Sequence, residues 1–243
     1  MTLENFFKRH EKVALLFSGG KDSLACLYLC KPWWDKLEVV WINTGKNFPE
    51  VEKFMEDIKA MVPHFIEVKT NQDAFIKWYG HPTDVVPVKC DVNGRVFSTE
   101  PVRRKLVSKY ECCANNIWQG IQKYMTETDC TGFIKGQRNS DHDQAPWVTN
   151  FTSGDRKCEM YYPVANWFEE EVLHYLHKQC ETLDERFLLD HSSLDCWDCT
   201  AYWDALPNRL IYMKKHHPEK YEHVVHILND IKRDVEDSVK NLP

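Results

Sequence analysis

The residues best suited to bind an anion form one hexad, Ser18-Gly19-Gly20-Lys21-Asp22-Ser23. Its two glycines can adopt positive φ and let the backbone approach a ligand closely. Backbone N–H groups in such a turn, at the start of a helix, attract a bound anion. Lys21 adds a positive charge, and Asp22 is suited to a magnesium ion shared with phosphates. With Ser18 and Ser23 as hydroxyl donors, the hexad predicts a phosphate-binding loop, the alternative being an ordinary turn.

Four cysteines form two close pairs that are suited to a metal centre. Cys112 adjoins Cys113, and Cys196 and Cys199 follow, with Cys196 83 positions after Cys113. Four thiolates can converge on a tetrahedral zinc ion or on a [4Fe–4S] cluster. Adjacent cysteines favour the cluster, because structural zinc sites space paired ligands by roughly two to four residues. Two unrelated pairs of buried thiols are the alternative.

The elements around the hexad alternate between strand and helix. Apolar periodicity predicts strands at Val13–Phe17, Leu37–Ile42 and Phe65–Lys69 and helices at Lys21–Cys30 and Glu50–Met61. The strands lack polar alternation, as expected when helices cover both faces of a parallel sheet. Ligands of such sheets bind at the carboxyl ends of the strands, where the hexad and the loop after the second strand emerge.

The rest of the chain is predicted from its turn residues and apolar spacing. We expect a helix over Asp73–Tyr79, an irregular insertion loop over Gly80–Thr99, and a helix over Val102–Met125 that is interrupted near the double cysteine. A strand at Gly132–Arg138, a loop, the segment Met160–Val164, a helix around Phe168–Leu176 and helix from Pro207 to Lys240 follow. Residues 1–200 are predicted to form the nucleotide-binding domain with the cysteine site, and residues 201–243 a helical extension.

The hexad resembles the pyrophosphate-binding loop of the PP-loop superfamily of ATP pyrophosphatases. Asn43–Glu50 is similar to the D-T-G-x-x-F-P-E segment of its phosphoadenylyl-sulfate reductase branch, with asparagine in place of the aspartate. Gly136-Gln137-Arg138 resembles a strand tip of these enzymes, and the cysteines resemble the C-C…C-x-x-C-T pattern of iron–sulfur adenylyl-sulfate reductases. The resemblance implies an α/β fold of the adenine nucleotide alpha hydrolase type, a twisted parallel sheet with helices on both faces.

The resemblance also implies site residues and cofactors. ATP or a related adenine nucleotide, with Mg²⁺, would be bound by Ser18, Gly19, Gly20, Lys21, Asp22, Ser23, Asn43, Thr44, Gly45, Gly136 and Arg138. Lys21, Asp22 and Arg138 would be catalytic. Cys112, Cys113, Cys196 and Cys199 would hold a [4Fe–4S] cluster.

One departure from the family bears on the reaction. Sulfonucleotide reductases use a catalytic cysteine in a C-terminal tail, whereas residues 201–243 contain no cysteine. The leading hypothesis is therefore an enzyme that adenylates an acceptor with pyrophosphate release in sulfur transfer. One alternative is a sulfonucleotide reductase whose nucleophile is Cys158, Cys180 or a thiol of a partner. Another is a non-catalytic nucleotide-binding subunit that docks a partner through its acidic C-terminal helix, Pro218–Lys240.

Composition limits the partners and the compartment. The net charge of −6 argues against broad nucleic-acid binding, so a nucleic-acid acceptor is not indicated by charge. No apolar run is long enough for a membrane span or a signal peptide. Ten cysteines without an export signal predict reduced thiols and a cytoplasmic protein. Candidate protein partners are a sulfur donor, a reductant protein and a second copy of the chain.

Overall fold

The computed structural model describes residues 2–98, 100–141, 148–180, 183, 185–188 and 196–242. The described strands are β1 (Val13–Leu16), β2 (Leu37–Asn43), β3 (Phe65–Lys69), β4 (His81–Thr83), β5 (Leu106–Ser108), β6 (Gly132–Lys135), β7 (Asn150–Ser153) and β8 (Arg156–Tyr161). The described helices are α1 (Leu3–Arg9), α2 (Lys21–Leu29), α3 (Pro49–Met61), α4 (Gln72–Tyr79), α5 (Val92–Phe97), α6 (Lys109–Cys113), α7 (Gln119–Glu127), α8 (Glu169–Gln179), α9 (Leu206–His216) and α10 (Pro218–Val239).

The chain divides into two compact units, each built from three segments. The first unit comprises Met1–Asn43, Pro49–Lys69 and Gly120–Leu188, and the second comprises Thr44–Phe48, Thr70–Gln119 and Leu189–Pro243. The predicted domain boundary at residue 200 stays a prediction.

A six-stranded sheet organises the first unit, in the order β3-β2-β1-β6-β8-β7. All neighbouring strands pair in parallel except β7 and β8. β1 occupies an interior position because Val13, Ala14 and Leu15 are fully buried apolar residues. The predicted α/β fold with a mostly parallel sheet is confirmed, and the three strands predicted first lie within one residue of their observed bounds.

An antiparallel hairpin forms one edge of this sheet and was not predicted. β7 and β8 pair through Ser153 and Arg156, which flank a two-residue turn. Gly154 begins that turn with φ +59°, a conformation that favours glycine at the first position of a hairpin turn. β8 follows this turn at Arg156–Tyr161, so only the first two residues of the segment Met160–Val164 belong to a strand. The predicted loop after Arg138 lies partly outside the described residues, at 142–147.

Two expectations for the second unit are wrong. Gly80–Thr99 is not an irregular loop, because β4 pairs in parallel with β5 and α5 follows Asp91, whose carboxylate caps it. The long helix expected from Val102 begins only at Lys109. Ser108 and Glu111 form a capping box that starts α6 at that point, after the short strand β5.

Two helices end the second unit and confirm the predicted helical C-terminal extension. α9 and α10 are separated at His217, and Pro218 opens α10. α10 buries Ile227 and Ile231 in a core shared with Cys90 and Leu106. Among the described residues, no helix combines the length and apolar character needed to cross a bilayer.

Candidate functional site

The hexad forms a tight turn between β1 and α2. The N–H of Phe17 still donates to the carbonyl of Val40 at 2.8 Å, so sheet pairing extends to the residue before the hexad. Gly19, the second residue of the hexad, has φ +80°. A Cβ at Gly19 would lie 2.5 Å from Met55 Cε. The positive φ therefore favours glycine at this position, whereas the flexible end of the Met55 side chain could move aside.

The two serines of the hexad hold the start of α2. Ser23 Oγ donates to the carbonyl of Gly20 at 2.9 Å. Ser18 Oγ donates to Ser23 Oγ at 3.3 Å and accepts from the Gly20 N–H at 3.4 Å. Gly20 is the N-cap of α2 and brings no side chain to cap the helix. Such a helix start presents backbone N–H groups of its first turn to an anion.

Two cations and two carboxylates lie beside this turn. Arg138 Nε lies 2.9 Å from Asp22 Oδ1. Lys21 Nζ lies 3.4 Å from Glu169 Oε1, and Arg138 Nη2 lies 3.9 Å from Glu169 Oε2. Arg138 is 8% exposed although it ends a strand tip. The structure thus brings together Lys21, Asp22 and Arg138, the three residues predicted to be catalytic.

Glu169 is a member of this group that the sequence reasoning missed. It is the first residue of α8, which opens with three consecutive glutamates. Glu171 accepts from the N–H of Phe168 at 2.7 Å, and Glu170 is exposed. All three fit the ordinary preference for carboxylates at a helix start, so the sequence carried no signal that sets Glu169 apart.

Gly136 lies against the backbone of α2. A Cβ at this position would lie 2.6 Å from the carbonyl carbon of Asp22 and 2.6 Å from the N atom of Ser23. The neighbouring atoms belong to the main chain of a helix and cannot move aside alone. Gly136, predicted to bind nucleotide, therefore allows the tip of β6 to approach the first turn of α2.

The remaining predicted nucleotide residues follow the end of β2. Asn43 ends this strand in the first unit, and its amide donates to Glu67 Oε1 at 2.7 Å. Thr44 and Gly45 belong to the second unit. Thr44 is buried, and its hydroxyl lies 3.4 Å from Cys196 Sγ. Within its own unit, Thr44 thus contacts a predicted metal ligand.

The four candidate ligand cysteines all lie in the second unit. Cys112 is buried on α6, and the side-chain amides of Gln72 and Asn116 each lie 3.7 Å from its sulfur. Burial, with the charges of Cys113 and Cys199, raises the pKa of Cys112 to about 12. Cys199, a member of the second pair, is thus among the groups whose charge contributes to the raised pKa of Cys112.

The second cysteine pair is fixed through its backbone. The N–H of Trp197 donates to the carbonyl of Lys46 at 2.9 Å, and the N–H of Cys199 donates to the carbonyl of Cys196 at 3.2 Å. The guanidinium of Arg209 donates to the carbonyl of Cys199. Near the first pair, Cys113 Sγ lies 3.3 Å from the hydroxyl of Tyr202.

A π-helical turn, Ala114–Trp118, follows the double cysteine and interrupts the helix where an interruption was predicted. Asn116 is buried inside this turn, and its amide donates to the carbonyl of Cys112 at 3.0 Å. Thr70 Oγ1 donates to the carbonyl of Asn116 at 2.8 Å. Single π-helical turns occur frequently at functional sites, and this one directs a polar side chain toward a cysteine.

The donor set fits an iron–sulfur cluster. Three of the four sulfurs lie within 3.3–3.7 Å of a hydroxyl or amide group, the outer-shell contacts that orient and tune metal-bound thiolates.

Comparison with known proteins assigns the chain to a family. The sequence pattern of the phosphoadenosine phosphosulfate reductase domain matches residues 12–202. The chain belongs to this family. It is a nucleotide-binding PP-loop protein of the phosphoadenosine phosphosulfate reductase family, which confirms the resemblance drawn from the hexad.

A solved structure supports the fold of this family member. Phosphoadenylyl-sulfate reductase from Candida auris, in a phosphate complex, superposes with a TM-score of 0.51 and 16% sequence identity. The match covers 76% of this chain and 81% of that chain. At this identity, the likeness shows the shared α/β fold.

Two curated relatives are longer than this family member. An uncharacterized protein of Methanocaldococcus jannaschii is 25% identical over 240 residues, which cover 92% of this chain and 43% of that protein. Sulfate adenylyltransferase subunit 2 of Streptomyces lavendulae is 36% identical over 67 residues, which cover 26% of this chain and 21% of that protein. The chain therefore spans less than half the length of the curated relatives it matches.

Proposed function

We propose that the protein is a PP-loop enzyme that binds ATP with Mg²⁺, adenylates an acceptor with release of pyrophosphate, and takes part in sulfur transfer. The observation that carries the proposal is the hexad in its folded form. A glycine with positive φ, a glycine N-cap and two interlocked serines lie beside Lys21 and Arg138 in a protein of this family. Together they form a preorganised site for phosphate groups.

The proposed reaction is a displacement at the α-phosphorus of ATP. An acceptor oxygen forms a bond to that phosphorus, and the bond to the β-phosphate breaks, so that pyrophosphate leaves with the bonding electrons. The loop N–H groups, Ser18, Ser23 and Lys21 stabilise the negative charge that accumulates on the leaving group. Arg138 neutralises the α-phosphate.

Asp22 is the residue proposed to hold magnesium. Mg²⁺ is usually bound by one or two protein carboxylates together with waters and substrate phosphates. A single carboxylate at the start of α2, beside the proposed phosphate position, fits that pattern. When bound, the ion would neutralise phosphate charge. The observed Arg138 contact holds this carboxylate in place.

Cys112, Cys113, Cys196 and Cys199 are proposed to hold a [4Fe–4S] cluster. The adjacency of Cys112 and Cys113 supports a cluster over zinc, and the polar contacts to three of the sulfurs are of the kind that tune metal-bound thiolates. The cluster would supply iron sites that bind sulfur or serve to order the second unit. The proposed protein partners are a sulfur donor and a second copy of the chain.

The reductase alternative is less well supported by the positions of its candidate nucleophiles. Cys158 is buried in the core of the first unit, in one cluster with Val40 and Phe133. Cys180 caps the C-terminal end of α8, and its thiol donates to the Tyr28 hydroxyl at 3.4 Å. A nucleophile must reach the substrate, and the burial of Cys158 and the Tyr28 contact of Cys180 engage both thiols elsewhere.

The docking role suggested for the acidic C-terminal helix also finds less support. Carboxylates on α10 are engaged within the second unit. Arg103 contacts Asp234 and Asp237 at 2.8 Å, and Arg104 contacts Asp230 at 2.8 Å. These ion pairs account for much of the acidic character of α10 without a partner.

ATP–pyrophosphate exchange by anaerobically purified protein tests the proposed function. We expect exchange that requires magnesium and that is lost in Lys21→Ala. Lys12→Ala is the matched control, because Lys12 pairs with Asp129 on the surface of the same unit. Release of AMP and pyrophosphate from ATP, with the oxygen of water in place of the acceptor oxygen, would also support the reaction. Absence of exchange, together with no measurable ATP binding, would contradict the proposal.

A further inference from the structure

Glu169 places a negative charge beside the two cations of the phosphate site. Its carboxylate lies 3.4 Å from Lys21 Nζ and 3.9 Å from Arg138 Nη2. The side chain of Glu169 is 33% exposed, whereas those of Lys21 and Arg138 are 18% and 9% exposed. The ion pairs are thus partly shielded from solvent, which strengthens them relative to pairs on an open surface.

The charges of this group cancel. Asp22 pairs with Arg138 on one side and Glu169 approaches both cations on the other, so the two carboxylates balance Lys21 and Arg138. An incoming phosphate must compete with Glu169 for the same two cations.

We propose that Glu169 is a specificity-determining residue that makes phosphate binding depend on magnesium. This inference rests on the proposed function, because it concerns the same phosphate site. A metal-free polyphosphate carries two more negative charges than its magnesium complex, so its repulsion from Glu169 is larger. The complex brings a divalent cation that offsets this carboxylate, while the metal-free form does not.

The substitution Glu169→Gln separates charge from shape. It removes one negative charge at nearly constant volume and leaves Lys21 and Arg138 in place. Glu170→Gln is the matched control, because Glu170 is the next residue of the same helix turn and is exposed. Each variant removes one negative charge from the first turn of α8. The loss of its interaction with the helix dipole is therefore common to both variants and cancels when they are compared.

Titration calorimetry with inorganic pyrophosphate, in excess magnesium and in excess chelator, measures the effect. We expect Glu169→Gln to raise the affinity for metal-free pyrophosphate about threefold to tenfold, the range for loss of two partly exposed ion pairs. The affinity for magnesium pyrophosphate should rise less. The ratio of the affinity for magnesium pyrophosphate to the affinity for metal-free pyrophosphate should therefore fall. Glu170→Gln should retain the wild-type ratio.

Other outcomes would overturn the inference. An unchanged ratio in Glu169→Gln, or the same change in Glu170→Gln, would show that Glu169 has no specific effect on the ligand. A lower affinity for magnesium pyrophosphate would show that Glu169 is a magnesium ligand. If the wild-type protein bound neither pyrophosphate nor ATP, the proposed function itself would fail. An unchanged ratio in a protein that binds pyrophosphate overturns this inference alone.

Discussion

The substitution Gly136→Ala tests whether the approach of β6 to α2 builds the phosphate site. Gly136 does not have positive φ, so alanine is compatible with its backbone. The added Cβ would nevertheless lie 2.6 Å from Asp22 and Ser23 backbone atoms, about 1 Å inside van der Waals contact. The strand tip must move away from the helix to relieve this overlap.

The expected cost follows from overpacking. Extra methylene groups in tight contacts destabilise a protein by about 1–3 kcal/mol. In a chain of this size each kcal/mol lowers the Tm by about 2–4 °C, so Gly136→Ala should lower it by roughly 2–12 °C. Displacement of the Asp22–Ser23 backbone should also weaken ATP binding, because loop N–H groups and Asp22 move together.

Gly154→Ala is a control within the same unit, because alanine there would strain the backbone conformation rather than the packing. Gly154 has φ +59°, but nothing lies within 4 Å of a Cβ built there. The left-handed conformation costs a non-glycine residue about 1–2 kcal/mol, so this variant should also be destabilised. It should leave ATP affinity unchanged, since the β7–β8 turn is not part of the phosphate site.

Thermal denaturation and titration calorimetry on both variants check the reasoning. Loss of ATP affinity in Gly136→Ala but not in Gly154→Ala would support a structural role for Gly136 at the phosphate site. The reasoning is refuted if Gly136→Ala binds ATP as wild type does, or if both variants lose affinity in proportion to their loss of stability.

Three further results are expected. Asp22→Ala should lower the affinity for magnesium ATP by about tenfold or more, because a charge-assisted contact contributes about 1.5–3 kcal/mol. If calorimetry gives the variant and the wild type the same affinity, Asp22 does not hold magnesium. Protein purified anaerobically should absorb visible light and contain about four irons per chain, and Cys113→Ser and Cys196→Ser should each lose this absorption; stoichiometric zinc would contradict the cluster. The protein alone should not release sulfite from adenylyl sulfate with thioredoxin, and release at enzymatic rates that disappears in Cys158→Ser or Cys180→Ser would restore the reductase alternative.

The conformation of the hexad was predictable because it depends on neighbouring residues. Its glycines and serines lie within six consecutive residues, and the preceding apolar run determines that a strand leads into them. Arg138 was predicted through the family resemblance. Glu169 was not, because its role depends on where α8 begins relative to Lys21, and helix starts are rich in carboxylates throughout proteins.

The errors in the fold have similar physical causes. Leu106–Ser108 was expected in a helix because its apolar residues fit helical spacing. Parallel pairing with His81–Thr83, 25 positions earlier, determines a strand there instead. The capping box of Ser108 and Glu111 and the turn at Gly154 were readable local signals that were overlooked.

The segmented second unit has a consequence for biosynthesis. A ribosome makes chain at about 5–20 residues per second, so Cys113 is completed roughly 4–17 s before Cys196. The structure nevertheless places both cysteines in one unit, whose last segment is also the last part of this sequence to be translated. During that interval the nascent chain carries the adjacent thiols of Cys112 and Cys113 without Cys196 and Cys199. A cluster held by all four cysteines, as proposed, would complete its ligand set only after Cys199 is translated.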